Sequence, residues 1–143
     1  MLEESKIAAD LLDAYRATRY WVNAVAEPFF LQVGQPSPEM LSLYAAAPQR
    51  CAAFLTACNP YSEQLSAEAN RAAHECLLEV LDALAVQTFE GAGRDPVGVW
   101  PEERSVLVLG LGLDAARSIG NQFEQNAIIW AAADAVPRLI VLR

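Results

Sequence analysis

The sequence contains one histidine, His74, and histidine is the side chain that most often acts as a general base near neutral pH. His74 falls in a segment with helical periodicity. Cys76 points elsewhere, because residues two apart on a helix do not face each other. The sequence offers no serine, cysteine or acidic partner at a spacing that would complete a catalytic triad. We therefore predict a structural histidine near a helix boundary and assign no catalytic residue.

Metal ligands are equally sparse. The three cysteines, Cys51, Cys58 and Cys76, show no CxxC spacing, and Cys51 and Cys58 would lie on opposite faces of one strand. Zinc requires ligands that converge at suitable spacing, which this pattern does not supply. The odd number of cysteines indicates buried, reduced thiols in a cytoplasmic protein, and we predict no metal and no cofactor.

A glycine-rich turn, Gly110-Leu111-Gly112, follows an apolar segment and precedes a helix that Asp114 could cap, as in phosphate-binding loops. It lacks the third glycine of the dinucleotide fingerprint and the lysine of the P-loop. The carboxylate of Asp114 would also repel a phosphate. These glycines are therefore interpreted as a tight turn.

Polar side chains that follow apolar segments are better candidates for binding. The Asn59–Ser62 segment comes directly after one such segment, and ligands often bind at strand ends in sheets covered by helices. Trp100 could stack on a ligand or anchor its loop to the core. Gln125 could offer its amide to a ligand or satisfy buried backbone groups. The predicted ligand-binding residues are Asn59, Ser62, Arg94, Asp95, Trp100, Glu103 and Gln125.

The charge balance argues against a nucleic-acid partner. The 143-residue chain has a formal charge of −8, Lys6 is its only lysine, and its arginines are scattered. A broad basic face that displaces counterions from phosphates cannot form from these residues. No apolar run approaches the roughly 20 residues needed to span a bilayer, and the acidic N-terminus is unlike a signal peptide. We expect a cytoplasmic protein without a membrane segment.

The elements that must position these residues follow from periodicity and turn signals. Helical patterns cover residues 2–18, about 38–48, 67–84 and 114–124, with Ser37 and Ser66 as predicted N-caps. Strand patterns cover a hairpin within 20–33 and the segments 51–57, 86–90, 105–111, 126–132 and 137–142. The glycine- and proline-rich segment 91–104 is predicted to be the longest loop, of a length that is often functional.

The segments 51–57 and 105–111 are apolar on both faces, which is typical of central strands covered on both sides. Strands outnumber helices and hairpins are frequent, whereas a parallel sheet would need a crossover between each pair of strands. We predict one α+β domain over residues 1–143, with a mixed, mostly antiparallel sheet of six or seven strands and three or four packed helices. The N-terminal helix could pack as an arm.

Several short motifs occur together in a characteristic order. They are Tyr15 to Tyr20, FFLQVGQPS, Thr56-Ala57 with Asn59-Pro60 and Ser62, LSAEAN, GAGRD, Trp100-Pro101-Glu102-Glu103, Ser105 with VLVLGL, and Phe123 with Gln125-Asn126-Ala127. In these motifs the chain resembles the bacterial family of unknown function DUF3293, from about Tyr15 to Leu142. The resemblance implies a compact, stand-alone bacterial protein and no particular reaction. The sequence departs from the family pattern at Cys58 and Arg104.

Three functional hypotheses remain open at this stage. The first is a domain that binds a small ligand or another protein through the seven polar residues named above. The alternative is a hydrolase or transferase for a phosphorylated or nucleotide-like substrate. There, Asp95 and Glu103 (with Glu102 as a further ligand) would hold Mg²⁺ or act as base, and Arg94 would neutralise charge. The third is a homodimer that packs through the N-terminal helix.

Overall fold

The computed structural model describes residues 7–24, 27–98 and 101–143. Its helices are α1 (Ala9–Ala17), α2 (Pro38–Ala46), α3 (Ala67–Ala83) and α4 (Leu113–Gln122). Its strands are β1 (Arg19–Val22), β2 (Phe29–Leu31), β3 (Ala52–Leu55), β4 (Gln87–Arg94), β5 (Glu103–Leu109), β6 (Ala127–Ala131) and β7 (Arg138–Val141). A short 3-10 turn, Pro60–Ser62, lies between β3 and α3. Apart from this turn, the order of helices and strands is the predicted one.

The seven described strands form a single sheet in the order β2-β1-β4-β5-β3-β6-β7, and every neighbouring pair is antiparallel. The predicted α+β class is therefore confirmed, with an antiparallel sheet. The sheet curls until the segments beside its two edge strands meet. Gly34 N–H donates to Pro137 O at 2.8 Å, and Ser37 N–H donates to Ala135 O at 3.0 Å.

Strands β3 and β5 occupy the centre of the sheet and are buried on both faces, as predicted. On the inner face of the curl, α2 covers Phe54 and Leu107 with Met40 and Tyr44. On the outer face, α3 and α4 cover the sheet. The outer apolar layer consists of Ala53, Leu55, Ala57, Leu77, Leu81, Val106, Val108, Leu111, Ala116, Ile119 and Ile128. Because successive side chains of a strand point to opposite faces, β3 and β5 contribute to two separate apolar layers.

Two of the three predicted helix N-caps, Ser37 and Ser66, are confirmed. Ser37 Oγ accepts from Met40 N–H at 3.2 Å, and Ser66 Oγ accepts from Ala69 N–H at 3.1 Å. The prediction that Asp114 caps α4 is wrong, because the cap position is Gly112 and Asp114 lies in the first turn. There its charge still favours the positive end of the helix dipole.

Helix α1 is shorter than the predicted 2–18 helix. It begins at Ala9 and ends at Ala17, where Thr18 N–H donates to Ala14 O. Residues 2–6 of that prediction lie outside the described part of the chain. None of the described helices is long and apolar enough to cross a bilayer.

The predicted 91–104 loop is wrong in extent. Gly91 to Arg94 continue β4, and Glu103 and Arg104 begin β5, so only 95–102 of the predicted loop lie between the two strands. Glycine inside a strand usually weakens it, but β4 requires a glycine at position 91. A Cβ at Gly91 would overlap the carbonyl oxygen of Trp21 on β1, so only glycine lets these strands approach.

The predictions for His74 and the cysteines also need correction. His74 is not at a helix boundary: it lies within α3 and is fully buried, in line with Leu77 and Leu81. Its Nε2 lies 3.3 Å from Glu90 Oε2. Cys76, predicted to be a buried thiol, is exposed. The sequence pattern missed this because the buried position belongs to a polar residue, His74, two positions earlier.

The remaining thiols flank β3 and do not lie within it. Cys51 is partly buried and Cys58 is buried, and all three cysteines are free. The Cys58 Sγ lies 3.5 Å from Arg104 O, and burial raises the pKa of this thiol. The environment of Cys58 therefore favours an unreactive, protonated thiol.

We expect Gly91→Ala to destabilise the protein by about 1–3 kcal/mol, the usual range for overpacking an interior site. Gly93→Ala is the matched control on the same strand and face, because its Cβ would come no nearer than 3.7 Å to Thr18 Cγ2. Removing a glycine there should be neutral or stabilise by up to about 1 kcal/mol. Urea unfolding of the wild type and the two variants measures both changes in stability. Equal losses of stability in the two variants would contradict the steric role assigned to Gly91.

Candidate functional site

A cavity of about 140 Å³ lies between α1 and the inner face of the sheet. Helix α1 supplies one wall through residues that include Leu11, Ala14 and Tyr15. The apolar floor comes from the sheet and includes Phe54 and Ile129. The predicted binding residues that line it are Asn59, Ser62, Asp95, Glu103 and Gln125.

Asn59 connects the end of β3 to the start of β5 and to α3. Its Nδ2 donates to Glu103 Oε2 at 3.0 Å. Its Oδ1 accepts from Leu65 N–H and from Asn70 Nδ2, both at 2.9 Å, and its own N–H donates to Asn70 Oδ1 at 2.9 Å. Four hydrogen bonds therefore fix this side chain and its backbone, which in turn orients the carboxylate of Glu103.

The turn that carries Asn59 is strained. Asn59, Tyr61 and Ser62 all have left-handed backbones, with φ of 49°, 52° and 63°. Few residues other than glycine adopt this conformation, and such residues cluster at binding and catalytic sites, where surrounding contacts hold them. One such contact is Tyr61 N–H donating to Glu124 O at 2.7 Å. The strained backbone therefore indicates that this turn does more than connect β3 to α3.

Ser62 links the turn to α1 and to β6. Its Oγ lies 2.8 Å from Tyr15 Oη, and Asn126 Nδ2 donates to Ser62 Oγ at 2.9 Å and to Tyr15 Oη at 3.3 Å. Tyr15 and Asn126 were not among the predicted site residues. Asn126 could have been found from its place beside Gln125, whereas Tyr15 is indistinguishable in sequence from the apolar stripe of α1.

Gln125 is buried, and its side-chain amide donates to backbone carbonyl groups. Its Nε2 donates to Cys58 O at 3.1 Å and to Phe123 O at 3.2 Å. Of the two roles open from sequence, the geometry supports the pairing of buried backbone groups. Gln125 thereby holds the end of β3 against the start of β6 at the edge of the cavity.

The electrostatics of the cavity are those of an acidic site. Glu103 and Asp95 line it, and none of its described lining residues is lysine, arginine or histidine. Burial raises the pKa of Glu103, and the hydrogen bond from Asn59 only partly offsets this effect. The carboxylate is therefore held in a medium that disfavours its charge.

Arg94 lies away from this cavity because successive residues of a strand point to opposite faces. It lies on the outer face, where its Nε is 3.2 Å from Glu102 Oε1 and its guanidinium lies 5.4 Å from the centre of the Trp21 ring. Glu102 is thus separated from Glu103. Within the described ranges, no group of three acidic, cysteine or histidine side chains could hold a metal ion. The predicted residue Trp100 lies outside those ranges.

We expect Glu103→Gln to raise the free energy of unfolding at pH 7. Folding strips water from this carboxylate and so disfavours its charged form, a cost that a neutral amide does not have. As the pH falls through the raised pKa of Glu103, the folded protein takes up a proton first, so the advantage of the variant should shrink and vanish near pH 4. Thermal or urea unfolding at both pH values measures this.

Glu102→Gln is the matched control, because this neighbouring glutamate is exposed and makes a surface ion pair. Its removal should change stability by no more than about 0.5 kcal/mol. A Glu103→Gln protein that is less stable than the wild type at pH 7 would contradict the assigned burial of charge.

Comparison with known proteins identifies the family. The family described as "Protein of unknown function (DUF3293)" matches residues 55–128, which is just over half of the chain and includes all seven predicted site residues. The matched extent is shorter than the Tyr15 to Leu142 range predicted above. No curated protein and no solved structure gives a significant match. The chain belongs to the DUF3293 family of proteins of unknown function.

Proposed function

We propose that this protein binds a small organic molecule in the cavity under α1. The observation that carries the proposal is the cavity itself, an apolar hollow with an oriented carboxylate and amide at its rim. Small-molecule sites are usually concave and mostly apolar, with a few polar groups placed to fix orientation. The left-handed turn at Asn59–Ser62 supports the proposal, because strain of this kind is common at ligand sites.

The size of the cavity limits the ligand. A volume of about 140 Å³ is close to that of an engineered cavity of roughly 150 Å³ that binds benzene. A molecule of about one ring would be enclosed, whereas a nucleotide would extend far outside. We therefore favour a compact ligand whose apolar part lies on Phe54 and Ile129.

The alternative, a carboxylate- or Mg²⁺-dependent hydrolase or transferase acting on phosphorylated substrates, has less support. It required Arg94 beside Asp95 and Glu103, but Arg94 lies on the opposite face of the sheet and pairs with Glu102. Two carboxylates without that arginine would repel a phosphate group. The geometry therefore favours binding over phosphate chemistry.

Filling the cavity should abolish binding. Ala14 lies on the cavity side of α1, so Ala14→Leu should occupy the space that a ligand needs. Ala17→Leu is the matched control, because Ala17 is exposed on the same helix and leucine is nearly as good a helix former as alanine. Amide chemical shifts on titration with a panel of single-ring molecules measure binding.

The expected result is ligand-dependent shifts around Asn59, Glu103 and Ile129 in the wild type and in Ala17→Leu, and none in Ala14→Leu. Amide spectra without ligand establish that both variants are folded. Unchanged binding by a folded Ala14→Leu protein would place the ligand elsewhere and refute the proposal.

A further inference from the structure

We infer that the cavity selects a small organic cation, an ammonium group on a compact apolar body, which binds the carboxylate of Glu103. This inference rests on the proposed function and specifies the chemistry of its ligand. Three features of the described residues carry it: the sign of the charge, the orientation of the carboxylate and the aromatic rings around it.

The charge of the cavity is complementary to a cation. Glu103 and Asp95 are the ionisable carboxylates of the lining, and no basic side chain among the described residues shares it. A low-dielectric hollow strengthens the attraction between a carboxylate and a cation compared with water. The same carboxylates would repel an anionic ligand, and a neutral ligand would gain from them at most a hydrogen bond.

The carboxylate of Glu103 is already oriented. Its Oε2 accepts from Asn59 Nδ2 at 3.0 Å, and Asn59 is in turn held by Asn70 and Leu65. No group in the described part of the chain donates to Glu103 Oε1. A ligand with an N–H donor can therefore hydrogen-bond to this carboxylate. Because the Glu103 side chain is already fixed, binding loses little of its conformational entropy.

Aromatic rings complete a site suited to an ammonium group. Tyr15, Tyr20 and Phe54 line the cavity, and the Tyr20 and Phe54 rings meet edge to face with centroids 5.2 Å apart. Ring faces attract cations, and recognition of ammonium ligands by aromatic side chains is common. The Tyr20 hydroxyl already donates to Tyr15 O, so its oxygen presents lone pairs and not a proton.

The inference also sets the direction of the pH dependence. Burial raises the pKa of Glu103, so acidification protonates the carboxylate and removes the partner of the cation. The other titratable groups that face this region are Tyr15 from α1, Tyr20 from β1, Asp95 after β4 and Cys58 after β3. Burial raises the pKa values of Tyr20 and Cys58, which keeps both neutral at pH 7. Amine affinity should therefore rise with pH through the pKa of Glu103.

The test compares benzylamine, benzyl alcohol and benzoate, which share one ring and differ in charge. In NMR titrations of the full chain at pH 7, benzylamine should bind at least about tenfold more tightly than benzyl alcohol, and benzoate should bind least. Glu103→Gln should weaken benzylamine by about tenfold or more and leave benzyl alcohol nearly unchanged. Glu102→Gln, on the other face, should leave both affinities unchanged.

The outcomes separate this inference from the proposed function. Equal affinities for the amine and the alcohol, with both lost in Ala14→Leu, would overturn the cation preference and leave the ligand site standing. A Glu103→Gln protein that loses amine and alcohol alike would also overturn it, since the glutamate would then act only through the fold. Binding of none of the three probes to the wild type would count against both proposals. An amine affinity independent of pH between about 4 and 7 would exclude Glu103 as its partner.

Discussion

The architecture depends on two strands that are apolar on both faces. Neither β3 nor β5 could face water on either side without exposing a continuous apolar surface, so helices must cover the sheet above and below. Helix α2 takes the inside of the curl, and α3 and α4 take the outside. The polar residues of these two segments therefore lie at the strand ends or beyond them. Asn59 follows β3 and Glu103 begins β5, and the antiparallel pairing of these strands brings the two side chains within hydrogen-bonding distance.

Much of this fold could be predicted from the sequence. The order of helices and strands, the two central strands and the serine caps follow from periodicity, apolar runs and capping chemistry. The extent of β4 could not be predicted, because glycine normally indicates a turn. The reason for Gly91 is a carbonyl oxygen on a strand about seventy residues earlier in the chain, which no local pattern reveals. The burial of His74 could not be predicted for a similar reason, since its partner Glu90 lies on a different element.

The candidate site was predictable only in part, because sequence neighbours in a strand do not share a face. Arg94 and Asp95 are adjacent, as are Glu102 and Glu103, and in each pair only the second residue lines the cavity. The polar residues after β3 were recognisable because their position follows an apolar run. The contribution of Tyr15 could not be recognised, because its hydroxyl bonds to Ser62, which is 47 residues away in the sequence.

The Tyr15–Ser62–Asn126 hydrogen bonds have a consequence for how the protein acquires its site. They join residues 47, 64 and 111 positions apart, so they close long loops and depend on most of the chain being in place. Contacts between distant residues form late and slowly, because the entropy of loop closure is lost before the contact is gained. A nascent or partly folded chain would have apolar surface but no cavity. Capture of a ligand would then report that folding is complete.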